Sequence, residues 1–299
     1  MWWLVGCSSL LEAGELWDFH LGLNASYGRY SDSRIRDGKI GSGGSIRADY
    51  LDSFGGTVAY QYHRIHYLQG FDQIEQNDYY VSFYKKFRPD PLSGVISLSL
   101  GAFSLANGDP KPGTNRARIF SPTLSYLPFS GEYFVALSYA ESIYPEYDEQ
   151  LFSEALTLQQ WTPVVGFAFN QQRQWLQLRG FFISSSDRRR SSQAEATTGG
   201  EISLTHYFGR ERLFAINYLK VSASFGERMF AVDNDTIAVY NLPDVDRGGG
   251  SLVVEWQLTQ GVTLLLAGGV EAFLFDAPGN QPDERYTSQF FALGLGWRG

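Results

Sequence analysis

Histidine and serine side chains are the first candidates for chemistry in this chain of 299 residues. His63 and His66 lie in the segment YHRIHY. Residues three apart on a strand point to opposite faces, so this pair alone does not make a metal site. A serine beside His66 or His206 would permit lipid hydrolysis or acyl transfer, and we keep that as one hypothesis. The chain has no G-x-S-x-G, Walker or H-E-x-x-H motif, so we predict no enzyme, no cofactor and no metal.

The N-terminal segment contains the single cysteine, Cys7, within MWWLVGCSSLLEAGE. One cysteine cannot form an intramolecular disulfide, which excludes a disulfide scaffold. A short apolar start followed by small residues is typical of a secretory signal, and LVGC looks like a lipoprotein cleavage box, although no positive charge precedes it. We predict that residues 1–14 are a truncated signal and that residues 15–299 form one domain. Lipidation at Cys7 and an ordered tail are the alternatives.

Composition excludes some classes of protein. The chain has 18 Tyr, 22 Phe, 7 Trp and 32 Gly, with a formal net charge of −8. Nucleic-acid binding needs a basic surface, so the negative charge argues against a nucleic-acid partner. A spanning helix needs about 18 or more consecutive apolar residues, and no run in the sequence is that long.

The C-terminal segment YTSQFFALGLGWRG, residues 286–299, shows the pattern that recurs along the chain. Every second residue is large and apolar, and the residues between them are small: Phe291, Leu293, Leu295 and Trp297 alternate with Ala292, Gly294 and Gly296. A period of two indicates a strand. Bulky groups on one face and small groups on the other indicate that the first face meets lipid and the second meets a lumen.

About fourteen segments between residues 17 and 297 repeat this alternation. Their connections alternate in length, with short turns such as residues 52–56 and long loops at residues 31–44, 226–250 and 276–286. An even strand count with this alternation predicts an all-β fold, namely a membrane-spanning antiparallel up-and-down β-barrel with short periplasmic turns and long extracellular loops. A soluble β-sandwich gives no reason for the alternation.

The predicted inward positions carry many charged and amide side chains. They are Asp18, His20, Asn24, Arg47, Asp49, Gln61, Asp78, Lys86, Gln177, Arg179, Glu201, Glu255, Gln257 and Glu271. These groups are costly to bury in a dry core, so they predict a water-filled lumen that they line. Fourteen strands should leave a pore narrower than that of sixteen-stranded barrels. Carboxylates outnumber bases, which weakly favours cations; alternatively, these charges pair with one another and brace the wall.

The longest loop, residues 226–250, differs from the others because it contains the apolar pieces MFAV and TIAVY. We keep two interpretations: it extends the barrel as an extracellular hairpin, or it folds inward and narrows the pore. The residues DND, 233–235, would suit calcium in their ligand types, although no glycine-spaced loop surrounds them. The arginines 188–190 are predicted to lie outside, either solvated or in contact with lipopolysaccharide.

The closing aromatic Trp297 and the strand count resemble those of Gram-negative bacterial outer-membrane β-barrels of the porin-like type. The resemblance implies a bacterial outer-membrane location, contact with outer-membrane lipid and lipopolysaccharide, and a channel for passive diffusion of ions or small polar solutes. An alternative is an export conduit or an anchoring barrel in an envelope complex, with a periplasmic or envelope partner protein. An outer-membrane lipid-modifying enzyme is the third hypothesis.

Overall fold

A computed structural model describes residues 16–68, 73–89, 92–107, 116–145, 155–188, 191, 194–209, 215–234, 237–239, 244–275 and 284–299. Over these residues the regular structure is β-strand. None of the described residues belongs to a helix long and apolar enough to cross a membrane.

Fourteen strands of the described chain form one closed antiparallel barrel, and two short strands form a separate hairpin. The barrel strands are β1 Trp17–Ser31, β2 Arg36–Tyr50, β3 Phe54–Tyr67, β4 Ile74–Phe87, β5 Gly94–Asn107, β6 Arg118–Pro128, β7 Tyr133–Tyr144, β8 Leu156–Phe169, β9 Gln174–Ser185, β10 Ala196–Tyr207, β11 Ile216–Arg228, β14 Val245–Gln257, β15 Val262–Phe275 and β16 Glu284–Arg298. The hairpin is β12 Val232–Asp233 with β13 Ala238–Val239. The predicted fold class and strand count are therefore confirmed.

The barrel closes where the first strand meets the last. β1 pairs with β16 from His20 opposite Arg298 to Ser31 opposite Thr287. Two further backbone hydrogen bonds, both 3.1 Å, join Phe19 to Gly299. All other barrel strands pair with their neighbours in chain order, apart from the step from β11 to β14 across the hairpin. The barrel therefore presents no free edge among the described strands, as lipid requires.

The outer face of the barrel is apolar. On β5, Leu98 and Leu100 are 42% and 43% exposed, while Ser97 and Ser99 lie on the inner face. Near the periplasmic turn of residues 51–53 the rings of Trp17 and Tyr50 lie 5.1 Å apart. Amphipathic rings of this kind are typical of the edge of the hydrocarbon layer. The predicted lipid-facing register agrees with this arrangement.

The predicted strand lengths were wrong at the extracellular ends. Residues 31–44 were predicted as a long loop, but β2 starts at Arg36, so only residues 32–35 separate it from β1. Similarly, β11 continues to Arg228, β14 starts at Val245 and β16 starts at Glu284, inside predicted loops. Strand pairing continues beyond the hydrocarbon layer, where outward side chains meet water and no longer need to be apolar. The alternation therefore stops before the strand does.

Candidate functional site in the barrel interior

The hairpin β12–β13 lies inside the barrel. The pairing of β11 with β14 shifts between Phe225 and Arg228, and that of β14 with β15 shifts between Asp246 and Gly248. Both bulges contain a glycine with a left-handed backbone, Gly226 at φ +83° and Gly248 at φ +117°. A side chain at either site would collide with the backbone of the neighbouring strand. Such bulges bend a strand and increase its twist, and these two lie where the chain leaves the wall for the hairpin.

Polar contacts attach the hairpin to the wall. The Gln160 amide accepts from the Val232 N–H at 2.9 Å and donates to the Val232 carbonyl at 2.7 Å. Asp233 forms an ion pair with Arg179 at 3.1 Å. The Asn234 side chain donates to the hydroxyl of Ser121. The carboxylate of Asp233 thus faces a cation of the wall, whereas the predicted calcium ligand at position 235 lies outside the described residues.

An apolar cluster completes the attachment. Met229, Phe230, Val232 and Val239 are nearly inaccessible to solvent. They pack against side chains of β3–β8 and of the residue just before β6, namely Ala59, Tyr80, Phe103, Leu105, Ala117, Ile119, Ala140, Tyr144, Leu156 and Leu158. Of the two interpretations of residues 226–250, the described residues 229–234 and 237–239 show the inward fold. These residues fill one side of the lumen with a hydrophobic core.

A cavity of about 1270 Å³ occupies the other side of the lumen. Its periplasmic end is bordered by Gln260 and Arg298, and its lining extends towards the outer rim as far as Ile65 and Ile74. Described residues of β1–β4, β9–β11, β14–β16 and the hairpin line it, and none from β5–β8 does. The space inside the barrel is therefore eccentric, because the hairpin covers the wall formed by β5–β8.

Eight of the predicted pore-lining residues border this cavity: Asn24, Gln61, Gln177, Arg179, Glu201, Glu255, Gln257 and Glu271. The other six, Asp18, His20, Arg47, Asp49, Asp78 and Lys86, lie on the inner wall but outside the cavity lining. That these residues line a conducting path remains a prediction.

The six remaining residues form ion pairs and hydrogen bonds on the inner wall. Near the periplasmic end, His20 lies 3.4 Å from Asp18 and 3.6 Å from Asp49. Asp49 also pairs with Arg47 at 2.8 Å. Lys86 reaches Asp52 in the turn after β2. Asp78 accepts from Gln76 at 3.0 Å. The alternative that some charges brace the wall therefore describes this group.

Among the described residues, the cavity lining contains as many Asp and Glu side chains as Lys and Arg side chains, together with His63. The acids are Asp233, Asp244, Asp246, Glu201, Glu255 and Glu271, and the bases are Lys39, Lys220, Arg173, Arg179, Arg228 and Arg298. The sequence reasoning missed most of the bases. Lys39 lay in the predicted loop of residues 31–44, and Arg228 lay in that of residues 226–250. The excess of carboxylates counted from the sequence is not reproduced in this lining.

A network of charged groups joins the strands beside the cavity near their extracellular ends. Arg36, only 4% exposed, pairs with Asp244 at 2.8 Å and donates to the Tyr286 hydroxyl. Lower down, Lys39 pairs with Glu271 at 3.3 Å. A buried ion pair is held in place because separation of the charges would leave each one desolvated and unpaired. The network therefore fixes the upper end of β14–β16 against β2.

In the register of the sheet, the described residues opposite both histidines of the hydrolase hypothesis are residues other than serine. His206 pairs across the strands with Gln174 and Leu219, and His66 pairs with Gly38. Among the three arginines 188–190, Arg188 lies 3.3 Å from Glu195, and the other two lie outside the described residues.

Comparison with known proteins identifies the fold. No family model matches the sequence, and no curated protein matches it. A FadL homologue of Pseudomonas aeruginosa superposes with a TM-score of 0.56 over 95% of this chain and 90% of that chain, at 10% identity. CymD, a monoaromatic hydrocarbon channel, superposes with a TM-score of 0.55 over 93% of this chain and 88% of that chain, at 6% identity. A bacterial polysaccharide outer membrane secretin superposes with a TM-score of 0.53 over 94% of this chain and 98% of that chain, at 10% identity. At these identities, the likeness is one of fold, that of bacterial outer-membrane β-barrels.

Proposed function

We propose that the chain is a passive channel of the bacterial outer membrane for small polar solutes. The observation that carries this proposal is the eccentric cavity, whose lining runs from the periplasmic turn at Gln260 to Ile65 and Ile74 near the outer rim. Solutes would pass between the hairpin and the wall made by β9–β11, β14–β16 and β1–β3.

The chemistry of the lining favours water and polar solutes. Twelve Asp, Glu, Lys and Arg side chains border the cavity among the described residues. Charged groups are expensive to hold in a dry space, so the cavity should be hydrated. CymD, which has the same fold, is a monoaromatic hydrocarbon channel. The charged lining of the present chain favours a more polar solute, since fold alone does not determine what a barrel transports.

The proposed channel discriminates weakly by charge. Six carboxylates and six bases border the cavity among the described residues. Selectivity in such pores follows rings of one sign of charge. The weak cation preference expected from the sequence therefore receives little support from the lining, and we propose a nearly unselective path.

The purified chain in a planar bilayer tests the proposal. Stepwise current in potassium chloride is the expected result, with a reversal potential close to zero in a salt gradient. Protein from the same preparation, unfolded by heat before addition, is the control. A folded barrel that inserts into the bilayer but gives no current at any voltage would contradict the proposal.

A further inference from the structure

Gln177 is an unusual residue on the wall of the cavity. It lies on the inner face of β9 and is only 2% exposed. Within the described part of the chain, neither its amide nitrogen nor its amide oxygen has a hydrogen-bond partner. Buried polar atoms are normally paired, and an unpaired amide destabilises the fold. A side chain that borders a cavity with both a donor and an acceptor unused is suited to a ligand.

Trp175 is the next inward residue on the same strand. It is 6% exposed, and its indole N–H has no hydrogen-bond partner among the described residues. The ring lies across Gly166 of β8, since a Cβ at that glycine would stand 2.4 Å from the indole Cζ2. Glycine thus lets the ring lie close against the wall, while the residue still borders the cavity. The ring itself packs with Phe134 and Val164 in a buried cluster, so the group that it offers to the cavity is the unpaired indole N–H.

Small hydroxyl side chains surround these two residues. In the register of the sheet, Ser203 lies opposite Gln177 and Thr205 lies opposite Trp175. Ser222 follows opposite Ser203 on the next strand. All three border the cavity. The patch therefore combines an indole N–H donor with amide and hydroxyl groups that can donate and accept.

The charges near the patch do not favour an ionic ligand. The closest inward neighbour of Gln177 towards the outer rim, Arg179, forms an ion pair with Asp233 at 3.1 Å. Beside the patch, Glu201 on β10 and Lys220 on β11 add one charge of each sign. Among the described residues, the whole lining contains as many Asp and Glu as Lys and Arg side chains. A ligand that carries no net charge and matches several unpaired donors and acceptors is a neutral polyhydroxylated molecule.

We propose that the wall formed by Trp175, Gln177 and Ser203 is a binding site for a neutral carbohydrate, such as a short saccharide. The hydroxyl groups of the sugar pair with the Gln177 amide and with the indole N–H of Trp175. This inference rests on the proposed channel, whose solute class it names. A binding step along the path would make the diffusion of sugars saturable.

Calorimetric titration of the purified, detergent-solubilised barrel tests the site without any need for conduction. The probes are maltose, maltotriose and sucrose. We expect the wild type to bind at least one of them, and the Gln177→Leu variant to bind it about tenfold more weakly or worse, because two hydrogen bonds are lost. The variant should fold as well as the wild type, since leucine replaces an unpaired buried amide with an apolar side chain of similar size. Trp175→Phe, which removes one donor and keeps a ring, should weaken binding about threefold.

Gln61→Leu is the matched control, because it makes the same change on β3, on another part of the cavity lining. It should leave the affinity within about twofold of the wild type, a difference too small for one lost hydrogen bond. Equal losses in the two leucine variants would overturn the location of the site. Absence of binding for all three sugars up to their solubility limits would overturn the proposal, as would binding of the neutral dipeptide Gly-Gly in place of sugars.

A parallel bilayer measurement separates this inference from the channel proposal. Sugar that binds in detergent and also interrupts the current supports both. Binding without any current overturns the channel and leaves the carbohydrate site. Current without sugar binding overturns the site and leaves the channel.

Discussion

Gln160 on β8 holds Val232 of the inner hairpin through both atoms of its amide, with hydrogen bonds of 2.9 Å and 2.7 Å to the backbone N–H and carbonyl. A neighbouring strand would normally supply these two bonds. The hairpin has only two residues in each strand, so its backbone groups depend on the wall. One glutamine therefore satisfies an edge that would otherwise be left unpaired inside the barrel.

Gln160→Ala should release the hairpin and leave the barrel folded. The backbone groups of Val232 would lose their partners, at a cost of about 1–3 kcal/mol each if they stay buried. We expect larger and noisier single-channel currents in a bilayer, with unchanged heat-modifiable migration on gels. Gln159→Ala, one residue away on the exposed face, is the control and should behave as the wild type. Identical currents in both variants would show that the hairpin does not restrict the path.

Leu252 and Ser251 of β14 test which face meets lipid. Leu252 is 47% exposed on the outer face, whereas Ser251 borders the cavity. Leu252→Arg places a charge against hydrocarbon and should cost about 2–4 kcal/mol near the bilayer midplane. Ser251→Arg should fold normally and shift the reversal potential towards the value for an anion-selective pore, since it adds a positive charge to the path. The folded fraction and the reversal potential are the measurements. A folding defect confined to Ser251→Arg would invert the assignment, because a slip of one residue exchanges the two faces.

A pair of cysteine variants tests the eccentric path. In a Cys7→Ser background, which removes the native cysteine, Ser222→Cys places a thiol on the cavity lining. Ser138→Cys places one on β7, whose described residues do not border the cavity. A bulky, charged methanethiosulfonate reagent should reduce the current of the first variant by half or more, and change that of the second little, because only the first thiol would narrow the path. Equal block would argue for a central path.

The buried ion pair of Arg36 and Asp244 should contribute strongly to stability. Both residues are 4% exposed, and their charged atoms lie 2.8 Å apart. Asp244→Ala leaves the guanidinium without its acid and should lower the free energy of unfolding by about 3 kcal/mol or more. Unfolding in guanidinium chloride, followed by tryptophan fluorescence, measures the change.

The control for that experiment is Glu75→Ala. Its pair with Arg64 at 3.0 Å is partly exposed, with side-chain exposures of 45% and 37%. Exposed pairs contribute about 0–1 kcal/mol. Equal losses in the two variants would show that burial does not set the contribution of the Arg36 pair.

The sequence predicts the barrel wall better than its interior. Outward residues such as Leu98 must be apolar at every second position, so the strand count and the lipid-facing side follow from the pattern. The inner face carries no such constraint. Phe103 and Leu105 reverse the alternation of β5 after Gly101, because they pack on the hairpin and not on lipid. This change of phase is the feature of the sequence that indicates an apolar core inside the barrel. Which residues pair across the lumen depends on contacts distant in sequence, and the pattern does not encode them.

The seam between β1 and β16 has a consequence for how the chain folds. His20 and Arg298 are partners although 278 positions separate them. Pairings between residues so distant in sequence form slowly, because the intervening chain must already be arranged. Until they form, two strand edges with unpaired N–H and carbonyl groups would face hydrocarbon, at several kcal/mol for each group. Entry into the bilayer and closure of the ring should therefore take place as one concerted event, with open sheets surviving only where water or another protein covers both edges.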